Sequence, residues 1–162
     1  MELKTKVTAE DGKHDLLITR EFDLPVELLF KAYVEPTLIE QWMSNPHAAA
    51  KVLKLESKSH GSYQLQSTDA AGNVVFKSGG VIHEIMPDLK ITRTFEVEGA
   101  PFGVQLEVYN FEKLTGETSR LNMHVIYESV VQRDMVLKMP FAQGINMAHN
   151  RIQEISSIQK AL

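Results

Sequence analysis

Segment 141–162 constrains the fold more than any other stretch of this chain. Phe141, Ile145, Ala148, Ile152, Ile155 and Leu162 recur there at steps of three, four and seven, which draws a single apolar stripe along a helix. Gln143, Asn150, Gln153 and Lys160 fall largely on its other faces. A helix of that length with one apolar stripe has to bury it against a second layer. The remaining sequence offers one surface large enough to receive it, a sheet.

That sheet is written into residues 49–127. Short runs rich in strand formers alternate with turn signals: 52–56, then His60-Gly61-Ser62; Tyr63-Gln64-Leu65-Gln66, then Ala71-Gly72-Asn73; 74–86, then Pro87-Asp88; 89–98, then Gly99-Ala100-Pro101. Val104-Gln105-Leu106-Glu107-Val108 and Leu121-Asn122-Met123-His124-Val125 alternate apolar with polar residues around Thr115-Gly116. Strands joined by such short breaks make an antiparallel meander with one buried face, and Gly79-Gly80 inside a long strand implies a bulge or sharp bend. Ahead of the meander, residues 16–22 read as a strand, with a further edge strand and turn before it. Asp23 and Pro25 open a helix carrying Val26, Leu29, Phe30 and Tyr33, and Glu35-Pro36 ends it. A second short helix from Thr37 to about Met43 carries Leu38, Ile39 and Trp42. After the meander, Ser129 with Gln132 three residues later forms a capping-box pattern for a short helix, and Pro140 can sit in the first turn of the last one.

The expected architecture is therefore α+β: a curved antiparallel sheet of about six to seven strands wrapped around a long C-terminal helix, with two short helices after the first strand. Residues 1–162 read as a single domain. A cystatin-like cone also bends a sheet around helices, but its principal helix comes first, whereas here the longest stripe comes last.

Composition narrows the function classes. Seventeen Lys and Arg against 21 Asp and Glu give a net charge of −4, without the basic footprint of a nucleic-acid or anionic-membrane binder. The chain has no Cys, so disulfides, thiolate metal sites and a cysteine nucleophile are out, and a reducing compartment fits. The charged N-terminus has no apolar signal-peptide run, and no stretch approaches the ~18 apolar residues of a membrane span. The expectation is a soluble, cytoplasmic protein without membrane insertion, either monomer or homodimer.

The run Ile18-Thr19-Arg20-Glu21-Phe22-Asp23-Leu24-Pro25, followed by Phe30-Lys31-Ala32-Tyr33, Pro36 and Gln41-Trp42, resembles the opening of the Hsp90-ATPase-activator-homologue-like family. That family belongs to the START/Bet v 1-like helix-grip superfamily. Gly79-Gly80-Val81, Thr94-Phe95-Glu96, Gln132-Arg133-Asp134-Met135 and Gly144 extend the resemblance over almost the whole chain. Two departures stand near the expected cavity mouth. Met43-Ser44-Asn45-Pro46 replaces a Gly-Pro pair common after the tryptophan, and Gly61-Ser62 stands where members often have Gly-Gly. The extra N-terminal domain of the eukaryotic co-chaperone has no room here.

The resemblance implies a small hydrophobic or amphipathic molecule held between the inner sheet face and the last helix, without cofactor or catalysis. The expected lining is Trp42, Tyr63, Phe76, Ile82, Phe95, Leu106, Met123, Phe141, Ile145 and Ala148. Arg93 is a candidate polar anchor, because it occupies an otherwise apolar phase of 91–97. A buried guanidinium needs a partner. Two are open to it: Glu84, diagonal across a Pro87-Asp88 hairpin, or a ligand carboxylate or phosphate. For Trp42 the alternatives are a core anchor or a cavity wall offering its N–H to a ligand. The six histidines show neither the helical zinc spacing nor a dense acidic cluster. His124 is expected outward, His83 is ambiguous in register, and His149 borders the apolar stripe. No nucleophile elbow or phosphate loop is present. Two further readings stay open: a cyclase, dehydratase or hydrolase using an inward Glu84 or His83, and a chaperone-contacting module.

Overall fold

The computed structural model describes every residue except Glu2. Twelve elements follow in order: β1 (Lys6–Thr8), β2 (Asp15–Phe22), α1 (Val26–Val34), α2 (Pro36–Met43), β3 (Ala49–Leu55), β4 (Ser62–Thr68), β5 (Val74–Met86), β6 (Lys90–Val97), β7 (Gln105–Lys113), β8 (Ser119–Ile126), α3 (Val130–Leu137) and α4 (Phe141–Lys160). All eight strands join one antiparallel sheet in the order β1-β2-β8-β7-β6-β5-β4-β3. Strands β3 to β8 form the expected meander. The N-terminal pair β1 and β2 adds to its β8 edge, so the sheet has eight strands rather than six or seven. Because β2 lies beside β8 while β3 is the opposite edge, α1 and α2 must carry the chain from one end of the sheet to the other.

Period-two alternation decides what faces the helices. On β2 the inward set is Leu16, Ile18, Arg20 and Phe22, and on β8 it is Leu121, Met123 and Val125, all buried. On β7 it is Glu107, Tyr109 and Phe111, the opposite phase from the one the apolar residues of 104–108 suggest. The large rings decide the phase. Tyr109 and Phe111 bury more apolar surface than Leu106 and Val108 would, so Leu106 is turned out and is 37% exposed.

Helix α1 docks through edge-on aromatic contacts, Phe30 on Phe111 at 5.2 Å and Tyr33 on Phe111 at 5.7 Å between ring centroids. Pro25 is itself the N-cap of α1. Asp23 stands outside the helix, with its backbone N–H donating to Gln153 Oε1 of α4 at 2.9 Å. Pro36 occupies the first turn of α2, where its missing N–H costs nothing. The Ser129 hydroxyl accepts from the Gln132 N–H at 3.2 Å, capping α3 as its sequence pattern indicates.

Strand β5 departs from regularity in two places. Pairing with β6 lapses opposite Gly80 and Val81, where the Val81 N–H donates to Thr94 Oγ1 at 3.0 Å. The register then shifts by one residue between Ile82 and Glu84. A Cβ on Gly79 would strike the Tyr63 carbonyl oxygen, and one on Gly80 the Thr94 carbonyl oxygen. Only glycine permits this approach of three backbones. The turn to β6 holds Pro87, Asp88 and Leu89, with Met86 paired to Lys90 and Asp88 at φ +65°, one residue longer than the two-residue hairpin considered from the sequence.

Helix α4 runs along the concave side and is tied down by polar pins. Arg20, 2% exposed on β2, donates to Asn150 Oδ1 at 2.9 Å and Asn146 Oδ1 at 3.3 Å. Arg151 Nε donates to the Trp42 carbonyl at 2.7 Å. Ile152 and Ser156 are buried in the second half of α4, whereas Phe141, Ile145 and Ala148 in the first half are only partly buried. The helix seals one end of the concave face and stands off the other. Among the described residues no helix is long and apolar enough to cross a membrane.

Candidate functional site

Under the first half of α4 lies a cavity of about 210 Å³. Its apolar wall comes from Ile18 of β2, Trp42 and Met43 of α2, Phe95 of β6, Met123 and Val125 of β8, and Phe141, Ile145 and Ala148 of α4. A side pocket of about 50 Å³ adjoins it and shares Tyr33, Trp42, Met43, Arg93 and Phe95 with it. Tyr63, Leu55, Leu65 and Ile39 complete that second space.

Arg93 forms the polar end. Its position opposite Glu107 in the β6–β7 ladder places both on the inner face. Arg93 Nε donates to Glu107 Oε1 at 2.8 Å, and Nη2 donates to the Tyr109 hydroxyl at 2.8 Å. The Tyr109 hydroxyl donates onward to Glu107 Oε1 at 2.9 Å, and Gln105 Nε2 donates to Glu107 Oε2 at 2.8 Å. The guanidinium also lies over two rings, 4.7 Å from the centroid of Tyr63 and 5.0 Å from that of Tyr109. Planar charge, a forked donor and ring stacking are arginine properties that a lysine would not reproduce. The Arg93 partner is therefore Glu107, one strand over. Glu84 is drawn instead to Lys90 at 3.4 Å on the β5–β6 turn, because the shift at His83 pairs it with Thr92 and so turns it to the face opposite Arg93.

The network leaves some valences open. Arg93 Nη1, Gln105 Oε1 and the Tyr33 hydroxyl make no hydrogen bond to any described residue, and all three residues line the cavity. Burial pushes the Tyr33 and Tyr109 hydroxyls above their ordinary pKa, so both are neutral phenols at physiological pH. His149, 2% exposed, closes the α4 side, with Nδ1 2.6 Å from Thr5 Oγ1 and its ring edge-on to Phe22 at 5.7 Å. Burial, helped by the nearby Arg20 charge, pushes its pKa down to about 3, so it is neutral.

Of the residues singled out from sequence, Trp42, Arg93, Phe95, Met123, Phe141, Ile145 and Ala148 line the main cavity and Tyr63 the side pocket. Three do not. Ile82 is packed into the core, Leu106 is on the outer face, and Phe76 lies at the hairpin end of β5, 42% exposed. Trp42 gives the cavity its ring but not its N–H, which donates to the Ala32 carbonyl at 2.7 Å inside the α1–α2 corner. His124 points outward to Asp15, 2.7 Å away, and His83 is exposed, edge-on to His60. The described residues hold no group of three metal-ligating side chains.

Glu107, Tyr109, Gln105 and Tyr33 were not legible as site residues. For Glu107 a signal existed. The alternation of 104–108 continues into Tyr109 and Phe111, and that extension turns Glu107 inward to meet Arg93.

Residues 23–157 match the family described as activator of Hsp90 ATPase homolog 1-like protein. No functionally curated protein matches the sequence. Among solved structures, a Rhodobacter sphaeroides protein superposes with a TM-score of 0.85 at 18% identity, covering 98% of this chain and 100% of that one. An Arthrobacter aurescens protein gives 0.82 at 20% identity (94% and 91%), and protein Ms6760 from Mycobacterium smegmatis 0.77 at 24% (93% and 96%). At these identities the likeness is one of fold.

Proposed function

The chain belongs to the activator of Hsp90 ATPase homolog 1-like family, and from that premise we propose that it binds a small amphipathic molecule between α4 and the sheet, without transforming it. One observation carries the proposal: an apolar cavity of about 210 Å³ whose far end holds polar atoms without protein partners. Packed interiors rarely keep voids much larger than a water molecule, and ligand sites are apolar hollows with a few convergent polar groups. An engineered apolar cavity of about 150 Å³ takes up benzene, so this one suits a molecule of one or two rings. The inward carboxylate, Glu107, is occupied by Arg93, Tyr109 and Gln105. That arrangement suits holding a ligand better than moving its protons.

Native mass spectrometry of protein purified from its own cells tests the proposal. A retained adduct of small organic mass, lost on mild activation and absent after Ala148→Phe fills the cavity, is the expected result. Protein free of any adduct, and not stabilised by a panel of one- and two-ring aromatics, would count against it.

A further inference from the structure

We infer that the cavity selects an uncharged ligand carrying one hydroxyl or carbonyl group, and that Glu107 is the residue that sets this selection. The inference rests on the ligand-binding reading above and goes on to name the class of ligand. Arg93 looks like a carboxylate or phosphate anchor, but Glu107 Oε1 lies 2.8 Å from its Nε and neutralises it. A ligand anion reaching Arg93 Nη1 would leave water for an ion pair that is already neutral and would approach the Glu107 carboxylate as well, while the other nearby cation, Arg20, lies outside the cavity lining. Desolvating an anion without a free countercharge is unfavourable.

A neutral oxygen meets no such cost. The open groups are a donor on Arg93 Nη1, an acceptor on Gln105 Oε1 and the Tyr33 hydroxyl, which can do either. A ligand hydroxyl can accept from Arg93 and from the Tyr33 hydroxyl while donating to the glutamine amide oxygen, and a carbonyl can accept from Arg93 and Tyr33. The rest of the molecule then lies against Trp42, Phe95, Met123 and Ile145. Polar groups left unpaired by a fully apolar ligand would weaken its binding.

The test compares 2-naphthol, naphthalene and 2-naphthoic acid (a carboxylate at pH 7) by calorimetric titration. The wild-type protein is expected to bind 2-naphthol at least tenfold more tightly than 2-naphthoate. Glu107→Gln frees the Arg93 charge and is expected to move that ratio at least tenfold toward the carboxylate. Since Glu107→Gln weakens the fold, Tyr33→Phe provides a second reading, because it removes only an unpartnered oxygen. It should cost 2-naphthol about 3–10-fold in affinity and leave naphthalene unchanged. Wild-type protein that holds 2-naphthoate as well as 2-naphthol overturns the charge selection while leaving the cavity reading intact. Equal losses for naphthol and naphthalene in Tyr33→Phe overturn the selection for a ligand hydroxyl or carbonyl. Failure of all three compounds to bind removes the ligand-binding reading, and this inference with it.

Discussion

Mild acid, between pH 7 and pH 5, should destabilise this protein through His149. The imidazole is 2% exposed and neutral, its pKa pushed down to about 3 by burial and then by Arg20, whereas in the unfolded chain it returns to about 6.5. Between those values the unfolded state binds a proton that the folded state refuses. The contribution is therefore fully present above pH 6.5 and shrinks as pH falls toward 3. Between pH 7 and pH 5 the difference integrates to about 2 kcal/mol, at about 1.4 kcal/mol per pH unit over the linear part. With a urea m-value of about 2 kcal/mol/M, the midpoint should fall by about 1 M. The assay is urea unfolding of wild type and His149→Gln at both pH values. The wild-type loss from pH 7 to pH 5 should exceed that of the variant by about 2 kcal/mol. Equal losses would mean that His149 takes up its proton without unfolding, and would refute a buried neutral ring held between Thr5 and Phe22.

Glu107→Gln leaves the Arg93 charge buried without its counterion and should cost about 3 kcal/mol in denaturant unfolding at pH 7. Gly80→Ala drives a Cβ into the Thr94 carbonyl oxygen and should lower stability by about 1–3 kcal/mol. An unchanged midpoint there would contradict the close approach of β5 and β6. Ser129→Ala removes the side-chain oxygen that accepts from the Gln132 N–H and should cost about 1 kcal/mol by thermal unfolding.

What was legible in the sequence was local. The stripe of α4, the turn-punctuated strands, the Ser129 cap and the break at Glu35-Pro36 between α1 and α2 each follow from residues within a few positions of one another. Arg93 was legible as an anomaly because a charge broke a period-two pattern. Its partner was not, because Glu107 belongs to a strand whose register depends on the intervening 98–104 loop and whose facing depends on Tyr109 and Phe111. The same dependence misplaced Leu106, since apolar and polar residues alternate equally well in either phase over 104–108. Phe76 shares the inner face with Ser67, but the hairpin end it occupies lies beyond the cavity lining, and its period says nothing of that limit. Arg20 carries the same signal. It breaks the inward set Leu16, Ile18 and Phe22 as plainly as Arg93 breaks its own, and it is the residue that Asn146 and Asn150 of α4 hold.

The methyl NMR spectrum of the methionines, recorded while naphthalene is titrated in, tests most directly whether α4 stands off the sheet over an enterable space. Met43 and Met123 line the cavity, whereas Met86, Met139 and Met147 are exposed elsewhere on the molecule. Saturable shifts confined to Met43 and Met123 are expected. Shifts at the exposed methionines alone, or none at any methyl, would mean that the space under α4 admits no guest.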